Sequence, residues 1–300
     1  MLLRQPVAAG RFYPADADAL RDEVRGWLAL GAEVAFRGKN AGQHVAPEAV
    51  RLFGAMLPHA GYVYCGRVMG ATLSGLPLPR TLLILCPNHT GRGEPLGVWP
   101  QGAWITPLGP MPVDAALAAR LCTADHRGGF APDTLSHLGE HSIEVLLPFL
   151  QCLAADGQPL RIVPISVGTQ QPAALRAAGQ ALAETLRLCA QKDALPGVIV
   201  SSDMNHYESE SRTREKDALA LERALACDPD GLLSVIAREN ISMCGAGPLA
   251  LALFAAQHLG APRAELVLHD TSAAAAGETE HVVGYAGLHL WLEPFKDNRP

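Results

Sequence analysis

The apolar positions of this 300-residue chain follow two patterns. Compact apolar runs that stop at turn residues predict strands near 51–57, 81–86, 161–167, 197–202, 264–269 and 282–291. Between them, apolar residues recur at helical spacing over 16–30, 66–75, 113–123, 141–154, 171–191, 210–226, 229–239 and 248–259. Asp16 or Asp18 can cap the first of these helices. Pro148 falls inside the 141–154 pattern and predicts a kink or a split there. Pro248 suits the first turn of the last helix and Gly260 its end. Alternating strands and helices imply a mostly parallel central sheet covered on both faces, a single three-layer α/β/α domain over residues 1–300. The last run, "HVVGYAGLHLWL", alternates partly and predicts an edge or antiparallel strand. "RGKNAGQH" at 37–44 and "TSAAAAGETE" at 271–280 read as loops.

Three apolar runs end on chemistry. "LFGAMLPHAGY" leads to His59, "LILCPNHTGRG" to His89, and "GVIVSSDMNHYES" to Asp203 and His206. In open α/β sheets, ligands bind outside the carboxyl ends of the strands. His59 and His89 are 30 residues apart, one strand–helix–strand unit. Such a crossover returns parallel, so both histidines are expected at the same edge of the sheet. A single histidine after a strand is ordinarily a loop residue; three equivalent ends carrying ligand-type side chains point to convergence. Two neutral imidazoles and one anion can hold Fe(II) or another divalent metal with open positions. Asp203, Glu140 or Cys244 could supply the anion.

Cys244, in "SMCGAGP", precedes a predicted helix start, whose N–H groups and dipole are expected to lower its thiol pKa. An inert, buried cysteine beside a glycine turn is the competing reading. "GEHSIEV" places Glu140 and His141 at a helix start. Glu140 suits a cap there. His141 would stay neutral, fit for proton transfer or a hydrogen bond to substrate, or it is a surface residue. His44, His126, His137 and His258 read as surface residues, and His269 with Asp270 stands at most behind the pocket. His281 and His289 read as structural members of the last strand.

Net charge is −6 and the arginines are scattered, which excludes a nucleic-acid surface as the expectation. The longest apolar stretch, "PLALALFAAQHLG", falls short of the about 20 residues a membrane span needs. The start "MLLRQPVAAGRFYP" does not read as a secretion signal, so a cytoplasmic protein is expected. Seven cysteines at wide spacing fit neither a disulfide framework nor a zinc ribbon, and most read as small buried apolar side chains.

"QPVAAGRFYPAD", "LPHAGYVYCG", "CPNHT", "EHSIEVLLPFL", "VPISVG", "SSDMNHY", "CGAGP" and "VVGYAG" resemble, in order and wording, the motifs of the Memo family. In prokaryotes this family is also called AmmeMemoRadiSam system protein B, and the resemblance runs from about residue 5 to 290. The family is similar in fold to class III extradiol ring-cleaving dioxygenases, which use non-haem Fe(II). The resemblance implies that His59, His89 and Cys244 hold a metal, with Cys244 where those enzymes have a carboxylate. It implies His206 as a pocket acid/base, with Asp203 and His141 as further pocket residues. Thr90 stands where many relatives carry a second histidine. A sulfur ligand favours copper or zinc more than oxygen ligands do, and it can be oxidised.

Three functions are compatible with these residues. One is a metal-dependent oxidoreductase using Fe(II), or copper or zinc, on a small molecule. The second is a hydrolase or transferase with Cys244 as nucleophile and His206 or His59 as base. The third is a non-enzymatic metal- or peptide-binding protein. The family name also implies a radical SAM enzyme and an AMMECR-type protein as operon partners.

Overall fold

Four of the apolar runs form the parallel centre of a nine-stranded sheet. The computed structural model describes residues 2–39, 50–123, 129–154, 160–190 and 195–293. In chain order the elements are β1 (Leu3–Arg4), α1 (Ala17–Lys39), β2 (Arg51–Leu57), α2 (Tyr62–Leu73), β3 (Thr81–Pro87), β4 (Leu96–Val98), β5 (Ala103–Thr106) and β6 (Gly109–Pro112). Next come α3 (Ala115–Thr123), β7 (Ala131–Pro132), a 3-10 turn at Glu144–Leu146, α4 (Leu147–Leu153), β8 (Arg161–Val167), α5 (Pro172–Ala190) and β9 (Gly197–Ser201). The chain continues through β10 (His206–Glu208), α6 (Glu210–Leu225), α7 (Pro229–Glu239), α8 (Ala246–Leu259), β11 (Ala261–Thr271), α9 (Ala273–Ala276) and β12 (Val282–Glu293).

Strands β2, β9, β3 and β8 lie side by side and parallel. Antiparallel β12 pairs with β2 on one side of them, and antiparallel β4 with β8 on the other. β7 follows β4, β11 covers the far side of β12, and β10 pairs with the start of β12. A separate three-stranded sheet joins β1, β5 and β6.

Successive side chains of a strand point to opposite faces, so a covered sheet needs apolar residues on both. Leu83, Leu85, Val163 and Ile165 pack with α5, α7 and α8, while Leu82, Ile84 and Ile199 pack with α1, α2 and α4. The sheet therefore lies between two helical layers. On β2, Phe53 and Met56 share a layer, because the β12 pairing slips between Leu52 and Gly54. Helices α1 and α2 cross closely: a Cβ on Gly70 would overlap the Trp27 carbonyl, and one on Gly31 the Gly70 carbonyl.

Several expectations change. α1 runs to Lys39, so positions 37–39 are helix, not loop; "AEVAFR" (32–37) consists of residues that helices tolerate, and no proline interrupts it. Residues 40–44, His44 and His126 lie outside the described residues. α2 begins four residues earlier than its apolar pattern, with Gly61 as N-cap. Pro148 does split its segment: it sits in the first turn of α4, after the 3-10 turn. β12 is antiparallel but interior, since β11 covers its other side. The 271–280 loop contains α9, a single helical turn. No helix among the described residues is long and apolar enough to cross a membrane.

His137 is fully buried, contrary to its reading as a surface residue. Its ring lies edge-on to Trp99 and Trp104, and Nε2–H donates to the Gly97 carbonyl at 3.0 Å. Beside it, fully buried Arg4 pairs with Glu144, donates to the carbonyls of His137 and Glu140, and lies 4.5 Å over the Trp104 ring. Glu144 also accepts the N–H groups of Val7 and Ala8 at 2.8 Å and the Tyr13 hydroxyl at 2.6 Å. The N-terminal segment is thereby clamped to the 137–144 loop.

Candidate metal centre

The parallel strands β2, β9 and β3 end at Leu57, Ser201 and Pro87 along one edge of the sheet. Their outgoing loops place His59, Asp203 and His89 next to each other. Cys244 reaches the same place from the start of α8. Gly245 permits this approach: a Cβ there would overlap Ser202, and its N–H donates to Ser202 Oγ at 3.1 Å. One ring nitrogen from each of His59 and His89 and the Cys244 sulfur all lie within 4.8 Å of one another. The sulfur is 3.5 Å from His59 Nε2. Zinc-type bonds of about 2.0–2.3 Å put donors on one ion roughly 3–4.5 Å apart, so this spacing suits a shared ion.

Hydrogen bonds fix which nitrogens are available. Ser201 Oγ donates its single proton to the Ser142 carbonyl at 2.7 Å. It must then accept from His59 Nδ1–H, also at 2.7 Å, which leaves the lone pair on Nε2. Glu140 performs the same task for His89. It accepts Nδ1–H at 2.9 Å and the His89 backbone N–H at 2.7 Å. Glu140 is fully buried and also accepts from the Ser142 hydroxyl and from the N–H groups of His141 and Ser142. Burial pulls its carboxyl up, but the hydrogen bonds and charge of His89, with the backbone donors, hold it at about 2. As an ionised acceptor it forces the proton onto Nδ1 of His89. Imidazoles oriented in this way by an outer acceptor are typical of metal ligands. Glu140 is thus more than the helix cap that its position suggests.

Burial lowers the His59 imidazole to about 4, against the opposing pull of Asp203. Burial also acts downward on His89, but the hydrogen bond and charge of Glu140 raise it above its ordinary value. A cation bound at Nε2 would displace that proton. Burial, then the Asp203 charge, push the Cys244 thiol well up. The expected lowering by the helix start is overturned. Gly245 N–H is directed to Ser202, and Ala246 N–H to the Met243 carbonyl at 3.4 Å, so the first turn contributes little to the sulfur. The Asp203 N–H does donate to Sγ, at 3.2 Å. Cys244 is nonetheless not an inert core residue, because its sulfur faces His59.

Asp203 accepts the His59 N–H at 2.8 Å through Oδ1, and its Oδ2 is 3.9 Å from His59 Nε2. His141 lies almost parallel to His89, with ring centroids 5.2 Å apart, and edge-on to His59 at 5.6 Å. Phe12 covers it at 4.7 Å. Burial lowers the His141 imidazole against the opposing pull of Glu140, and this lowering favours its neutral form. The cause is burial and not a helix dipole, since helical structure starts only at Glu144.

A family model for Memo-like proteins matches residues 4–289. The chain belongs to the Memo-like protein family. A MEMO1 family protein of Ignicoccus hospitalis is 38% identical over 296 residues, covering 97% of this chain and all of the relative. One from Thermotoga maritima is 37% identical over 298 residues, covering 96% of this chain and 99% of the relative. One from Methanosarcina barkeri is 38% identical over 287 residues, covering 95% and 99%.

Among the described residues of this Memo-like chain, two groups of side chains have metal-binding spacing: His59, His89 and Cys244, and His89, Glu140 and His141. The second is a weaker candidate, because Glu140 already serves five donors. His206 stands outside both. Its N–H donates to Ser242 Oγ at 2.8 Å and its Nδ1–H to the Ser242 carbonyl at 2.9 Å, two residues before Cys244. His269 does not reach the pocket but bonds buried Asp217 at 2.8 Å, and Asp270 faces Arg67 at 3.0 Å. His289 bonds the Thr72 carbonyl at 2.7 Å, a structural role, whereas His281 is exposed just before β12. Sequence reading missed Ser201; a polar residue closing the run "GVIVS" was its only signal. A cleft of about 240 Å³ opens beside His89 and Cys244, between the loop after β8 and the start of α8.

Proposed function

We propose that this Memo-like protein is a metal-dependent oxidoreductase for a small molecule, with His59, His89 and Cys244 holding the ion. The observation that carries the reading is the meeting of two oriented Nε2 lone pairs with one sulfur. The electrostatics agree. Cys244 and Asp203 lie together and, among the described residues, no lysine or arginine side chain bonds to either, so a divalent ion would supply positive charge there. It would also deprotonate the thiol that burial otherwise keeps protonated. Fe(II), copper and zinc all suit two imidazoles and a thiolate.

When bound, such an ion supplies Lewis-acid or redox chemistry at its open positions. Ser201 and Glu140 hold the two imidazoles in place. Asp203 fixes the His59 backbone through one oxygen and holds the other 3.9 Å from His59 Nε2, where it would orient a group bound at the metal. His141, whose Nδ1 lies 3.5 Å from Glu140 Oε1, holds or moves a proton. His206 does the same from the Ser242 side through its remaining nitrogen. A cytoplasmic setting, which keeps thiols reduced, suits a site whose anionic ligand is Cys244.

The raised thiol pKa weighs against Cys244 as a metal-free nucleophile. Metal analysis of protein purified without oxygen tests the proposal. The wild type should carry bound metal, while His59→Ala and Cys244→Ser lose most of it. Equal trace metal in wild type and His59→Ala would sink it. Bound metal without oxygen- or redox-linked turnover across a metabolite panel would leave the non-enzymatic metal-binding reading instead.

A further inference from the structure

We infer that Tyr285 belongs to the metal site: its hydroxyl donates a hydrogen bond to the molecule bound there, next to Asp203. This inference rests on the metal site proposed above. Three tyrosines are buried, Tyr13, Tyr62 and Tyr285. A buried phenol ordinarily finds a partner. Tyr13 donates to Glu144 at 2.6 Å, and Tyr62 to the Val145 carbonyl at 2.7 Å. Tyr285 is only 2% exposed, yet its hydroxyl has no partner among the described residues. Nor is it sealed away: the fully enclosed, unbonded polar side-chain atoms among them belong to Trp104, Ser136, His137, Ser166 and Arg263. The small accessible part of Tyr285 therefore includes its hydroxyl.

The backbone shows where that hydroxyl opens. After β9, Ser202 N–H donates to the Leu57 carbonyl at the end of β2. The chain then crosses to β12. Met204 N–H donates to the Gly284 carbonyl at 2.8 Å, and Gly284 N–H to the Asn205 carbonyl at 2.9 Å. A Cβ on Gly284 would overlap Asp217 of α6, so position 284 faces that helix. Its neighbour Tyr285 faces the other side of the strand. There it shares a core cluster with Leu57, Tyr62 and Cys65. The Cys65 thiol donates to the carbonyl of Ala60, the residue after His59. Tyr285 thus stands between the start of α2 and the loop carrying Asp203, whose Oδ1 accepts the His59 N–H. Burial, and then the Asp203 charge, raise its phenol, so it stays a proton-bearing donor.

Asp203 Oδ2 lies 3.9 Å from His59 Nε2, on the metal side. Tyr285 and Asp203 do not bond each other, so a third group between them would satisfy both, accepting from the phenol and donating to the carboxylate. In ligand-free protein a water fills that place.

Two experiments test this. A crystal structure of the metal-free protein at high resolution should show an ordered water bonded to both Tyr285 Oη and Asp203. A Tyr285 hydroxyl bonded instead to a protein group, or packed with no water in reach, would overturn the inference. The second experiment titrates azide into cobalt(II)-loaded full-length protein, read by visible absorption, with cobalt content measured on each sample. Tyr285→Phe removes the hydroxyl alone and should weaken azide about fivefold with cobalt content unchanged, as the loss of one hydrogen bond does. Equal azide affinity in wild type and Tyr285→Phe would refute the donor role while leaving the metal site intact. If wild type holds no cobalt, the metal site fails, and the water between Tyr285 and Asp203 alone decides whether the phenol faces the pocket.

Discussion

Ser201 has a single proton to donate, and it goes to the Ser142 carbonyl. That fact decides the His59 tautomer, and with it the nitrogen that can meet a metal. Ser201→Ala should therefore lower metal affinity about 10–100-fold, as outer partners of metal histidines do. Competition with a chromophoric chelator measures this, and an unchanged affinity would show that Ser201 does not orient the ring. At this scale the sequence was legible where chemistry coincides with a strand end, as at His59 and His89. It was not legible where tertiary packing decides. His137 sits in the polar stretch "TLSHLGEH", yet Arg4, Trp99 and Trp104 bury it from far away in the chain. The Cys244 thiol was misjudged because the helix start is visible in sequence, whereas the burial of the sulfur and the Asp203 charge beside it are not.

Among the elements, the buried strands announced themselves, since β3, β8 and β9 are apolar on both faces. The short strands β4 to β7 and β10 have two to four residues each, too few for any period to show. Two predictions belong here. Gly70→Ala puts a methyl group against the Trp27 carbonyl and forces α1 from α2. A loss of about 1–3 kcal/mol is expected, as for other overpacked sites, measured by urea unfolding. Arg4→Ala leaves the Glu144 carboxylate buried without its ion partner. Removing one member of a buried pair costs about 3–5 kcal/mol. Because Arg4 also holds the Glu140 carbonyl, hydrogen exchange of the His141 and Ser142 amides should accelerate more than that of the β9 amides. Uniform acceleration would mean that the clamp supports the fold without holding the site loop in particular.

The stability of the whole molecule should fall on mild acidification, and His137 shows why. Burial lowers its imidazole to about 4, with only partial relief from the Gly97 carbonyl. Unfolded, it titrates at about 6.5, so between these values the unfolded chain binds a proton that the native chain refuses. Its contribution is complete above about pH 6.5 and is lost as pH falls towards 4. At pH 5 this single group destabilises the fold by about 2 kcal/mol relative to pH 7. Buried His59 acts in the same direction in metal-free protein, while His89, which gains its proton in the folded state, opposes them. His137→Gln keeps a donor for Gly97 but cannot titrate. Urea unfolding of the metal-free variant should therefore show a drop between pH 7 and pH 5 that is smaller by about 2 kcal/mol than in wild type. Parallel pH curves for the two proteins would mean that His137 takes up its proton in the native state, which the contact with Trp99, Trp104 and Arg4 is built to prevent.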